Sequence, residues 1–156
     1  TLNLSVAGSP AQSNYVIATY GSLSGRFAAT NGLPAGFALD YNYGGGTAIA
    51  LVMLPPAAPA GLTALGSDAL VRLTWNSSDG AVSYHVKRAM VSGGPYVTIQ
   101  SQAGTGYDDA AVTNGVTYYY VVSALNAGGE SENSAEASAT PQGSVRAGGA
   151  TLFQFK

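Results

Sequence analysis

One histidine, no cysteine and eight carboxylates are the main stock of groups in this chain for acid–base, nucleophilic or metal chemistry. His85 stands between Tyr84 and Val86 in an alternating run, on the face opposite both. A single histidine cannot build a multi-histidine metal centre, and no Ser–His–Asp arrangement follows from it alone. It reads as a structural surface residue. Asp108 and Asp109 are adjacent, and neighbouring side chains on a strand point to opposite faces. They read as solvated turn or loop charge, with a weak cation site as the alternative. Glu130, Glu132 and Glu136 read as charge that keeps the last loop and strand soluble. Gly44-Gly45-Gly46 is followed neither by Lys-Ser/Thr nor by a helix, so it reads as a turn and not a phosphate loop. Without cysteine there is no disulfide, no thiolate nucleophile and no Cys-based zinc site. No catalytic residue, cofactor or metal is assigned, and the chain reads as no enzyme.

Tyrosine is the one residue type here with binding capacity: Tyr outnumbers Phe 10 to 4. Tyr41, Tyr43, Tyr118 and Tyr120 read as core. Tyr96, Tyr107 and Tyr119 are candidates for exposure, where a ring stacks on a sugar or anchors a protein interface. Asn3-Leu4-Ser5 and Asn76-Ser77-Ser78 match N-glycosylation sequons, a short and common pattern. With a net charge of −2, nothing suggests a basic nucleic-acid surface, and no nucleic-acid partner is expected. The longest apolar stretch, 47–60, is broken by prolines and is shorter than the roughly 20 residues a membrane span needs. Membrane insertion is therefore not expected. Thr at position 1 reads as a processed or excised product, and the low charge favours an extracellular or cell-surface setting.

Such side chains can act only where elements place them. Before residue 55 the only charged residues are Arg26 and Asp40. This shift coincides with Pro55-Pro56-Ala57-Ala58-Pro59, a segment that favours extended geometry and spaces domains semi-rigidly. The predicted organisation is a β-rich N-terminal domain over 1–54, a Pro-rich linker over 55–58, a sandwich over 59–141 and a Gly-containing tail over 142–156.

From Leu62 onward, alternating runs recur at intervals of about ten residues, as in a sandwich or barrel. Val71, Leu73 and Trp75 share one face of the first run. Tyr84, Val86 and Arg88 share one face of the next, with His85 and Lys87 opposite. Tyr96–Gln100 is a short strand. Thr117–Asn126 is the strongest strand, with Tyr120, Val122 and Ala124 pointing inward, and Asn133–Thr140 closes the set. Residues 59–141 resemble a fibronectin type III domain. The resemblance is carried by Pro59-Ala60-Gly61-Leu62, Leu73-Thr74-Trp75, Tyr84-His85-Val86-Lys87-Arg88 and the run from Val112 to Asn126. It implies that Trp75 is the core tryptophan, and that Tyr118 is the tyrosine-corner residue whose hydroxyl bonds back to upstream backbone. Trp75, Tyr84, Tyr118, Tyr120 and Val122 are thus the expected structural core. Asn114 stands where the family often has Pro, and Asn114-Gly115 is itself a turn pair. The resemblance speaks for fold, not function.

Residues 1–54 also alternate as strands. Phe37, Leu39, Tyr41 and Tyr43 share a face, and Ile49, Leu51 and Met53 form the next inward face after the triple glycine. The spacing suits stacked rungs, as at a solenoid end, or a meander. Tyr15–Tyr20, Gly25-Arg26-Phe27, Gly32–Phe37, Leu39-Asp40-Tyr41 and Ile49-Ala50-Leu51 resemble an autotransporter-associated β-strand repeat region of secreted bacterial proteins. That resemblance implies export. A β segment of this size buries little surface without disulfides or a neighbour, so it is expected to pack on something.

After Pro141, a Gly-containing tether leads to Thr151, Leu152, Phe153, Gln154 and Phe155, which alternate like a strand. This strand either folds back or is donated to a neighbour's sheet edge as an assembly strand. The fold expectation is all-β throughout. The functional expectation is a non-enzymatic extracellular structural or adhesion protein, a subunit self-assembling into a fibre or surface array through β-strand contacts. Its partners would be copies of itself or other extracellular proteins, with a glycan as the further candidate. The alternative is a carbohydrate- or protein-binding accessory or spacer module of a larger secreted enzyme.

Overall fold

The computed structural model describes residues 14–22 and 33–143. Three strands come first: β1 (Asn14–Thr19), β2 (Phe37–Asn42) and β3 (Ala48–Met53). Gly44, Gly45 and Gly46 all take positive φ, which an L side chain rarely adopts, and this lets the chain reverse tightly between β2 and β3. The sheet order is β1-β3-β2 and both pairings are antiparallel. The segment is thus closer to a meander than to stacked rungs, which pair in parallel, and β1 lies on the far side of β3 from β2. The central strand is buried on both faces: Ala48 and Ala50 are as enclosed as Ile49 and Leu51. Met53, Tyr41 and Tyr43, expected inside, are only half-buried.

The remaining strands are β4 (Thr63–Ser67), β5 (Leu70–Thr74), β6 (Ser83–Ala89), β7 (Val97–Gln102), β8 (Gly106–Asp109), β9 (Tyr118–Asn126), β10 (Gly129–Glu130) and β11 (Ala137–Ala139). One sheet runs β4-β5-β8. The other runs β10-β9-β6-β7, with β11 also paired to β9. The two sheets form a sandwich whose inner faces carry alternate residues. Val71, Leu73 and Trp75 from the first sheet and its edge meet Tyr84, Val86, Tyr118, Tyr120, Val122 and Ala124 from the second, with Val112 between them. Each large side chain fully buried here contributes about 1.5–3 kcal/mol relative to exposure. Trp75 and Tyr84 pack edge to face with centroids 5.7 Å apart.

Strand β11 is shorter than the Asn133–Thr140 run predicts, and the reason is local. Ser134 Oγ accepts from Val122 N–H and Ser131 Oγ accepts from Ala124 N–H, at 3.0 and 2.8 Å. In return Ser131 N–H and Ser134 N–H donate to the carbonyls of Ala124 and Val122. Serine hydroxyls thus complete part of the ladder beside β9 without regular strand geometry, and its buried amides remain satisfied.

Candidate functional site

Four polar clusters of the sandwich are each anchored on charged side chains. The first lies inside. Alternation sends Asp108 outward and Asp109 inward from β8. Asp109 is 1% exposed. Its carboxylate accepts from Arg88 Nη1 at 2.8 Å, from the Tyr120 hydroxyl at 3.0 Å and from Ala111 N–H at 3.0 Å. Arg88 also donates to the Ala111 carbonyl, and its guanidinium lies 5.3 Å from the Tyr118 ring centre. Burial is the largest influence and opposes the Arg88 charge, but the bond to Asp109 and the Asp109 charge together outweigh it and raise the Arg88 pKa. Burial pushes the Tyr120 phenol well up, helped by the neighbouring Asp109 charge. Beside this cluster the Tyr118 hydroxyl accepts from Thr113 N–H at 3.0 Å, the backbone contact of a tyrosine corner. Reading Asp109 as solvated loop charge is therefore corrected: its strand register aims it into the core.

The second cluster covers the outer face of β6 and β9. Glu130 accepts from Lys87 Nζ at 2.6 Å and from the Ser123 hydroxyl, and lies 3.4 Å from His85 Nδ1. The Lys87 bond, then the Ser123 bond, pull its pKa down to about 2. Lys87 also donates to Asn133 Oδ1. The third cluster pins a turn. Glu136 accepts from the Ser92 hydroxyl and Gly93 N–H, both at 2.8 Å, and from the Tyr96 hydroxyl. The Gly93 amide leads in lowering the Glu136 pKa, while burial, then the Glu136 bond, raise Tyr96 to about 12. Glu130 and Glu136, expected as solubility charge, are thus structural ligands of their neighbours. The fourth cluster is an exposed two-bond pair of Arg72 with Asp108, both bonds 2.9 Å, which lowers the Asp108 pKa.

These clusters consist of ion pairs and hydrogen bonds already satisfied by protein. Among the described residues no three His, Cys, Asp or Glu side chains gather to hold a metal ion. No described helix is long and apolar enough to cross a membrane. Trp75, Tyr84, Tyr118, Tyr120 and Val122 all lie in the sandwich core. Tyr96, Tyr107 and Tyr119, the candidates for an exposed aromatic platform, are each half-buried. Asn76 is exposed, while the Asn3 sequon and the candidate assembly strand of Thr151, Leu152, Phe153 and Phe155 lie outside the described residues. The sequence reading missed the Arg88–Asp109–Tyr120 cluster. The available signal was Arg88 in the same strand register as Tyr84 and Val86, a charge on an inward face that requires a partner.

No family model matches the chain. Over 88 residues it is 41% identical to an amylopullulanase of Thermoanaerobacterium saccharolyticum, covering 55% of this chain and 7% of that protein. The chain therefore spans only a small fraction of this curated relative. A crystal structure of an Fn3-like protein from Clostridium thermocellum is 47% identical and superposes with a TM-score of 0.50, covering 57% of this chain and 94% of that one. The FN3tt crystal structure is 26% identical with a TM-score of 0.52, covering 58% of this chain and 98% of that one. The likeness of residues 1–54 to autotransporter-associated repeats finds no support in these comparisons. With most of a fibronectin type III-like protein matched at this identity, and with the two-sheet sandwich of β4 to β11 in place, the chain belongs to the fibronectin type III-like family.

Proposed function

We propose that this chain is a non-catalytic spacer module of a larger extracellular polysaccharide-degrading enzyme. The observation that carries the reading is the match at 41% identity to an amylopullulanase of which it takes up 7%. In that relative the matching stretch is an appendage in scale. The geometry fits: the polar clusters are satisfied internally. Relatives named amylopullulanase support an extracellular setting for this chain. The relatives favour this accessory reading over a self-assembling fibre subunit. Within it, spacing is favoured over glycan capture because Tyr96, Tyr107 and Tyr119 are half-buried rather than presented as a stacking platform.

Light scattering over a range of concentrations, with negative-stain imaging, tests the reading. A monomer throughout is the expected result, and filaments or large regular oligomers overturn it. Affinity electrophoresis in pullulan-containing gels separates the two accessory roles. Unchanged mobility is expected for a spacer, and retardation replaces that role with glycan binding.

A further inference from the structure

Leu54 is held from both sides of the proline-rich connection. Its N–H donates to the Gly36 carbonyl at the entrance to β2, at 2.7 Å. Its carbonyl accepts from Asn126 Nδ2, at the end of β9, at 3.0 Å. One residue is thus bonded to the first sheet through its amide and to the sandwich through its carbonyl. The β9–β10 turn is shaped for this. Asn126 Oδ1 accepts from Gly128 N–H at 2.7 Å, which fixes the amide so that Nδ2 faces Leu54. Gly128 is where the two backbones approach most closely: a Cβ there would lie 2.5 Å from the Met53 carbonyl oxygen and 2.7 Å from that of Leu54. Only glycine allows that approach. A Cβ on Gly129 would lie 3.3 Å from Pro55 Cγ. Beyond the contact Pro56 and Pro59 are buried, and Asn76 N–H donates to the Ala60 carbonyl at 2.8 Å. Pro56 and Pro59 have no N–H to satisfy, so these two buried positions leave no orphaned donor.

We propose that the Asn126–Gly129 turn is a docking socket for the Met53–Pro55 backbone, and that this socket makes β1–β3 and the sandwich one rigid body. The connection is then a fixed joint rather than a semi-rigid spacer. It sets the direction in which the preceding chain leaves the sandwich. The joint rests on contacts within this chain and holds whether or not the chain serves a larger enzyme.

The test is 15N relaxation on the full chain, comparing the rotational correlation time of amides in β1–β3 with that of amides in β4–β11. The wild type is expected to give one common value. Gly128→Ala, which drives a methyl group into the Met53 carbonyl, is expected to lose it, with β1–β3 tumbling faster than the sandwich. Asn126→Asp keeps the oxygen that accepts from Gly128 but replaces the donor to Leu54 with a repelling carboxylate, and is expected to behave alike. Trp75 fluorescence reports that the sandwich remains native; if Gly128→Ala unfolds it, Asn126→Asp decides alone. Two correlation times in the wild type, or one common value in the folded variants, overturns the proposal.

Discussion

Arg88 and Asp109 meet at 2.8 Å inside the sandwich, linking β6 of one sheet to the end of β8 in the other. The pair crosses the space between the sheets, and Tyr120 from the neighbouring β9 shares the same carboxylate oxygen. A buried pair of this kind fixes how two sheets sit together, because removing one member leaves the other charged and uncompensated.

Asp109→Ala is therefore expected to be among the most damaging single substitutions in the sandwich. It strands the Arg88 guanidinium and the Tyr120 hydroxyl together. Breaking a buried pair costs about 3–5 kcal/mol, and the partial exposure of Arg88 puts this one at the lower end. Urea denaturation followed by Trp75 fluorescence measures it. A loss below about 1 kcal/mol would show that the pair is not what holds the sheets.

Tyr118→Phe isolates the corner hydroxyl. The ring still fills its place in the core, but Thr113 N–H loses its acceptor just before the Asn114-Gly115 turn. Thr113 is exposed and the bond part-buried, so water can take the freed donor and the loss is that of an ordinary hydrogen bond, about 0.5–1.5 kcal/mol. The expected result is that loss in urea denaturation, with unchanged far-ultraviolet circular dichroism. Wild-type stability in the variant would assign the role of Tyr118 to ring packing alone.

What was legible in the sequence follows the period of two. Val71, Leu73 and Trp75, and later Tyr120, Val122 and Ala124, alternate with residues of the other face. Burial by that pattern is a local property of a strand. The same logic separated Asp108 from Asp109, but not what each would meet. Asp109 finds Arg88 from twenty-one positions away, and Glu136 finds Ser92 from forty-four. Pairings at such separations are set by sheet order, which no local pattern encodes. Leu54 was equally opaque: the sequence places it only as the last residue before the Pro-rich linker, and the docked β9–β10 turn shows that both of its backbone groups are taken.

Glu130 makes the sandwich acid-sensitive in a defined window. Bonds from Lys87 and Ser123 hold its folded pKa at about 2, against 4.5 for an unperturbed glutamate. A folded pKa below the unfolded one means stability that is fully present above pH 4.5 and is lost as pH falls toward 2. The carboxylate is 38% exposed, so solvent screening reduces the effect. Glu130→Gln is expected to flatten the stability–pH curve across that window while leaving the neutral-pH fold intact. Urea midpoints taken at half-unit pH steps check it, and parallel curves for wild type and variant would assign the acid response elsewhere.

The Glu136 clamp gives the opposite sign at the alkaline end. The Tyr96 phenol is raised from 10.0 to about 12, first by burial and then by its bond to Glu136. A phenol whose folded pKa lies above its unfolded value contributes stability that is present below pH 10 and lost as pH rises toward 12. Glu136→Ala removes the carboxylate from Tyr96 and leaves the Ser92 hydroxyl and Gly93 amide to solvent. Burial of the ring remains, so the Tyr96 ionisation is expected to fall only part of the way back toward 10. Spectrophotometric titration of the tyrosinate band, with Tyr96→Phe subtracted to isolate its contribution, reads the shift directly. The same variant is expected to increase proteolysis within Ser92–Tyr96, because the carboxylate that ties three points of that turn to the segment before β11 is gone. An unshifted Tyr96 titration together with an equally protected turn would show that the turn holds its shape without Glu136.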